Sequence, residues 1–300
     1  PTENPVAKGG RIISFDYTPA SDGDETKSFQ VGKNAGMGAS QIYLHWMDVE
    51  TEKEIYGKNG LEEKLRAKNS LFSQNNVKVI LSVNEIAETG NKMPKDLQGK
   101  ALDDSEVIDR YKKAIDYVFE QLPNVEVDVV SLGNEVDSYL GGDNKKWEQY
   151  TNFVNEISRY IKEKKPATKI GVKSTFDGYT KKHTEELKEL SNNLDVILVT
   201  YYPMTWGFAM KDPKVVREDF NTITSLYNGK EIYFAEAGYT SSSITKSSEE
   251  QQAEFIKQIF IAWDEHASQI KVINFLWLHD LSQETVDYLA NAYGLSDNKF

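Results

Sequence analysis

Two glutamates, Glu135 and Glu236, each stand at the end of an apolar run of the kind that forms a buried strand: VDVVSLGNEV at 127–136 and EIYFAEAGY at 231–239. A carboxylate placed where a parallel strand gives way to a loop points out of the sheet, toward the loops in which such folds carry their chemistry. Two of them on different strands suggest cleavage of a glycosidic bond. That reaction builds positive charge on the anomeric carbon. One carboxylate must be ionised to attack it, and the other must be protonated to release the leaving oxygen.

An Asn-Glu pair alone carries little weight, because the chain has three, at Asn84-Glu85, Asn134-Glu135 and Asn155-Glu156. Glu156 lies on the polar side of an amphipathic stretch and reads as a solvated surface residue. Glu85 follows the third apolar run as Glu135 follows the fourth, so both are expected at the same rim, with Asn84 beside them. Glu236 is more sharply marked. Ala235, Ala237 and Gly238 flank it, small residues that let a ligand approach closely. The plainer reading of Glu236 is a strand-end ion pair with Lys or Arg.

Eight short apolar runs position these residues, at 11–17, 40–46, 77–83, 127–132, 169–174, 195–202, 231–236 and 272–278. Near-continuous Val, Ile, Leu and Phe indicate strands covered on both faces, hence a parallel sheet. Between them, helical spacing recurs. Trp147, Tyr150, Val154, Ile157 and Ile161 form one stripe; Val107, Ile108, Tyr111, Ile115, Val118 and Leu122 a second; Ile256, Ile259, Phe260 and Trp263 a third. Alternation of strand and helix with no shift in composition predicts one α/β domain, a closed (β/α)8 barrel over 11–300. A short last helix is expected at 284–292, and the polar, Pro- and Gly-containing residues 1–10 read as the tether of an exported or lipoprotein-anchored protein.

The formal charge of −12 argues against nucleic acid as a partner, since its binding relies on basic patches. No run approaches the length of about 18 apolar residues that spans a bilayer. The chain has no cysteine, which excludes disulfides and thiolate chemistry. Its histidines, His45, His183, His266 and His279, lack metal-ligand spacing, so no metal or other cofactor is expected. GKNAGMG at 32–38 precedes a strand instead of opening a helix, the wrong context for a dinucleotide site, and SDGDE at 21–25 reads as a solvated helix start before it reads as a calcium loop. Aromatic residues gather at the predicted strand ends: Tyr17, Trp46, Tyr201, Tyr202, Trp206, Phe208, Tyr239 and Trp277. Flat rings suit the apolar faces of sugars. The partner expected is therefore a carbohydrate, bound by a monomer.

LGNEVD on the fourth run, YYPMTW after the sixth, AEAGY on the seventh and NFLWLHD on the eighth resemble clan A of the glycoside hydrolases, and YYPMTW is similar to the YYPFW of family 53 endo-β-1,4-galactanases. The resemblance spans the whole predicted barrel. It implies a retaining β-glycosidase with Glu135 as acid/base and Glu236 as nucleophile. It further implies that Asn134 bonds the sugar 2-hydroxyl, Tyr202 holds the nucleophile and Trp277 floors the sugar subsite. Many clan members carry an arginine near the end of strand two to support the nucleophile, whereas this chain has IYLHWMD there. Either His45 or another group then takes that part. Trp46 and Trp206 are expected to flank subsites, with endo action on a polysaccharide. The competing readings are a carbohydrate-binding barrel without activity and a lyase or aldolase using Lys173 as a Schiff-base amine.

Overall fold

The computed structural model describes residues 5–17 and 23–292. Part of the tether expected at 1–10, part of the SDGDE stretch and residues 293–300 lie outside the described residues. Eight parallel strands close into a barrel: β1 (Ile12–Phe15), β2 (Ala39–His45), β3 (Lys78–Asn84), β4 (Val127–Leu132), β5 (Lys169–Thr175), β6 (Val196–Tyr201), β7 (Glu231–Ala237) and β8 (Ile270–Phe275). Each pairs with the next in sequence, and β8 returns to β1. All eight predicted runs are strands, with ends shifted by a few residues.

A helix of eight residues or more follows each strand: α1 (Glu25–Asn34), α2 (Leu61–Gln74), α3 (Ser105–Gln121), α4 (Asn144–Lys164), α5 (Thr184–Ser191), α6 (Val215–Leu226), α7 (Glu249–Glu265) and α8 (Gln283–Ala292). Local sequence explains their starts. Asp24, Asp104, Asp143 and Ser248 each accept a hydrogen bond from a backbone N–H of the first turn, the cap those side chains favour. For Asp24 this cap is the role found within the SDGDE turn. The stripes of α3 and α4 are buried against the strands as predicted, except that Ile108 is only half-buried. On α7 the inward side is Phe255, Ile259, Ala262 and Trp263, whereas Ile256 and Phe260 are exposed at 42% and 36% and border an apolar pocket of about 420 Å³ outside β1 and β8. The stretch before β1 is tied down by Arg11, which pairs with Asp264 at 2.8 Å and stacks on Trp263.

Side chains alternate along each strand, so one set fills the barrel and the other meets the helices. The inner set begins with an apolar layer of Ile12, Ala39, Ile80, Val129, Val196, Leu198, Tyr233, Ala235 and Val272. Two residues further toward the C-terminal ends the interior turns polar, with Ser14, Ser82, Ser131, Thr200 and Asn274 all buried. Lys173, opposite Leu198 of the apolar layer, is fully buried, and its ammonium reaches Glu236 in the polar level above. The small serines leave room for its long side chain. The barrel thus has a dry floor and a polar upper half, and the candidate site sits on the latter.

Candidate active site

At the end of β4 the chain turns sharply. Gly133 has φ 67° and Glu135 φ 43°, both left-handed, before one turn of helix at Val136–Leu140. A side chain at Gly133 would put its Cβ 2.4 Å from Val136 Cγ1, so glycine is required there. For a glutamate the left-handed region is strained by roughly 1–2 kcal/mol, a cost that the surroundings must hold in place. They do so at two points. The Asn134 N–H bonds Ile86 O at 3.1 Å. Asp137 accepts from Ser174 Oγ and Thr175 Oγ1 at 2.6 Å each and from the Thr175 N–H at 2.9 Å. The turn carrying Glu135 is thereby clamped to β5. Burial first, and the charge of Glu236 second, push the Glu135 carboxyl up to about 8, although Thr200 Oγ1 donates to it at 2.7 Å. Glu135 therefore holds a proton at neutral pH.

Glu236 enters the barrel by a different device. The β6–β7 ladder slips between Val199/Phe234 and Thr200/Glu236, so that Ala235 is an extra residue. Ala235 packs in the inner layer, and strict alternation would send Glu236 outward. The bulge re-aims it inward. There its two oxygens are held separately: Lys173 Nζ lies 2.8 Å from Oε1, and the Tyr202 hydroxyl donates to Oε2 at 2.9 Å. Gly238 serves this arrangement. A Cβ there would come within 2.6 Å of Tyr202 Cε1, so the glycine makes space for the tyrosine and not, as its sequence context suggested, for a ligand.

Lys173 also lies 5.1 Å from the Tyr43 ring centroid. Asp16, just past β1, is a third carboxyl of the same interior. Burial raises it to about 6 against the lowering effect of Lys68, and Glu236 adds to the rise. Asp16, Thr200 and Asp137 carry no mark in the sequence, whereas the ion pair with Lys or Arg offered by the plainer reading of Glu236 is present, with Lys173 as the partner. Strand parity is the signal that would have found Asp16.

The other predicted residues divide by that parity. His45 and Asn84 face each other in the β2–β3 register on the inner side, and His45 Nδ1 and both Asn84 side-chain polar atoms have no protein hydrogen-bond partner. Burial lowers the His45 pKa, followed by the nearby Lys92. Three residues expected at the rim face the helices instead. Trp46 is fully buried, donates to Glu50 Oε2 at 3.0 Å and packs edge-on against Tyr111. Tyr17 is buried between Phe29 and Phe72. Glu85 is fully buried beneath Gly133, and burial raises its carboxyl to about 8. None of these three can contact a sugar in this structure. Asn134 Nδ2 donates to Glu88 Oε2 at 2.7 Å, at the tip of a small hairpin formed by Ile86–Ala87 and Gly90–Asn91. Trp277 and Trp206 are exposed, by 42% and 93%.

A pocket of about 210 Å³ opens beside Glu135, walled by Glu135, Thr175, Phe176, Lys182, Tyr202 and Lys211, with Tyr202 linking it to Glu236. Among the described residues no cluster of His, Asp or Glu could hold a metal ion, and no helix is long and apolar enough to cross a membrane. A proton-holding carboxyl and an ion-paired carboxylate therefore share one polar interior beside an open pocket.

The sequence profile of glycosyl hydrolase family 53 matches residues 87–276. No curated protein sequence matches the chain. Among solved structures, the GH53 catalytic domain of Ignisphaera aggregans is similar over 92% of this chain and 88% of its own, at 18% identity and a TM-score of 0.68. A GH5_18 protein of Bifidobacterium longum subsp. longum is similar over 96% and 74%, at 11% identity and a TM-score of 0.74. The exo-β-1,4-mannosidase of Opitutaceae bacterium strain TAV5 is similar over 96% and 55%, at 14% identity and a TM-score of 0.73. At such identities the structural likeness speaks to the barrel alone.

Proposed function

Because the chain belongs to glycosyl hydrolase family 53, and so is a glycoside hydrolase, we propose that it cleaves β-glycosidic bonds with retention, using Glu236 as nucleophile and Glu135 as acid/base. The observation that carries this reading is the contrast between the two carboxyls. Glu135 is buried, raised to about 8 and ready to donate a proton. Glu236 faces an ammonium and a hydroxyl, both of which favour a charged oxygen.

In the first step Glu236 attacks the anomeric carbon while Glu135 protonates the departing glycosidic oxygen. The ester formed has no charge on Glu236, so the repulsion that helped hold the proton on Glu135 is gone. Glu135 then accepts a proton from water, which attacks the same carbon and frees Glu236. Asn134, His45 and Asn84 line the inner wall with unsatisfied polar atoms suited to sugar hydroxyls. Trp277, for which the resemblance implies the floor of the sugar subsite, borders the apolar pocket outside β1 and β8. The loop after β6, where Trp206 and Phe208 are 93% and 74% exposed, supports an endo-acting reading in which a polysaccharide extends beyond the pocket.

The test is Glu236→Ala on an activated aryl β-glycoside, with and without azide. Loss of turnover, restored by azide with an inverted glycosyl azide as product, is expected. Wild-type turnover by this variant would overturn the assignment. Assay of the wild type on β-1,4-linked galactan, mannan, glucan and xylan identifies the sugar, and failure on every polysaccharide and aryl glycoside would favour the non-catalytic binding protein.

A further inference from the structure

We infer that Lys173 is the counter-ion on which the attacking form of Glu236 depends, a positioning residue that β5 supplies to the reaction. The inference rests on the proposed role of Glu236. A side chain with no solvent exposure cannot leave its ammonium unpaired, because a buried charge without a partner is strongly unfavourable. Its partner is Glu236 Oε1 at 2.8 Å. The rest of its surroundings agree with a cation held in place. The Tyr43 ring of β2 presents its face from 5.1 Å, and Gly171 and Thr175, its same-face neighbours on β5, carry no charge.

The groups facing Glu236 make such a cation necessary. Glu135 comes from β4, Asp16 from the end of β1 and the Tyr202 hydroxyl from beyond β6. Asp16 disfavours a negative charge on Glu236, as does Glu135 once it gives up its proton, and Tyr202 adds a neutral donor. Among the described residues Lys173 is the cation in direct contact with it. The end of β2, by contrast, supplies His45, whose ring burial and Lys92 both bias toward the neutral form. The same contact speaks against a Schiff-base role for Lys173. An ammonium donating to a carboxylate has no lone pair to attack a carbonyl.

Because the chain has no cysteine, Lys173→Cys contains a single thiol. Alkylation with bromoethylamine under denaturing conditions, then refolding, returns an ammonium at nearly the reach of lysine. Lys173→Met and unmodified Lys173→Cys should keep the circular dichroism of the barrel. On an activated aryl β-glycoside they should lose about 10²–10³-fold in kcat with little change in KM, since the lost stabilisation is that of the reacting state. The acid limb of the pH profile should move to higher pH. Aminoethylation should return most of the rate and restore the limb. Should Lys173→Met fail to fold, Lys173→Arg keeps the charge: kcat should fall through misplacement while the acid limb stays. Unchanged kcat and limb in Lys173→Met, no recovery on aminoethylation, a shifted limb in Lys173→Arg or borohydride trapping of substrate on Lys173 would each overturn the inference. Glu236→Ala keeps the two claims apart. If it stays active, the nucleophile assignment fails; if it is inactive while Lys173→Met is not, only the role of Lys173 fails.

Discussion

The two ends of the catalytic pair are built on opposite principles. Around Glu135 the barrel withholds charge compensation. The side chain sits on a strained turn, with a single hydroxyl donor and acidic neighbours, and it keeps its proton to about pH 8. Around Glu236 the barrel supplies compensation from β5 and from the residue after β6, an ammonium on one oxygen and a phenol on the other. Two carboxyls of the same residue type thus meet opposite surroundings, and those of Glu135 keep its proton in place.

The largest blow to that contrast is removal of the charged partner itself. Glu236→Ala should cut kcat on aryl glycosides by about 10⁴-fold or more, as loss of a covalent nucleophile does. Glu135→Gln should instead cost on the order of 10²–10⁴-fold on substrates with poor leaving groups and far less on activated aryl glycosides. It should also abolish the basic limb of kcat/KM expected of the wild type near pH 8. Equal losses on both substrate classes would argue that Glu135 is not the acid.

A smaller effect isolates burial from catalysis. Glu85 is fully buried with its carboxyl raised to about 8, while in the unfolded chain it titrates near 4.3. The folded state then binds the extra proton, so the stability from a neutral Glu85 is complete below about pH 4.3 and lost progressively up to about pH 8. Thermal unfolding of Glu85→Gln should show a flatter pH dependence than the wild type, with a gain on the order of a few kcal/mol at pH 8. A curve parallel to the wild type would remove Glu85 as the cause. Trp206→Ala should raise KM for the polysaccharide several-fold, the scale of one lost aromatic contact of about 1 kcal/mol, and affect short aryl glycosides less. The finest probe is Thr200→Val. Its hydroxyl lowers the Glu135 pKa, so its loss should move the basic limb upward by less than about one pH unit.

The eight strands and the glutamates on the fourth and seventh were legible because apolar runs and strand-end carboxylates are local signals. What stayed hidden was mostly parity. Tyr17, Trp46 and Glu85 each follow an inward residue, Asp16, His45 and Asn84, by one position, and adjacent side chains point to opposite faces. A run of uniformly apolar residues gives no indication of which set faces in. Lys173 was visible as a strand-interior lysine, yet its partner lies 63 residues away, and only closure of the barrel brings β5 and β7 to a common centre.

The slip in the ladder at Ala235 has a further consequence. The direction of the attacking group is fixed by which residue of the seventh strand stands opposite Thr200, not by a choice of rotamer. Sliding that strand by one, so that Ala235 stood opposite Thr200, would let the backbone pair evenly and would swing Glu236 into the helical shell. The barrel could then persist as a well-paired scaffold with no attacking group at its centre.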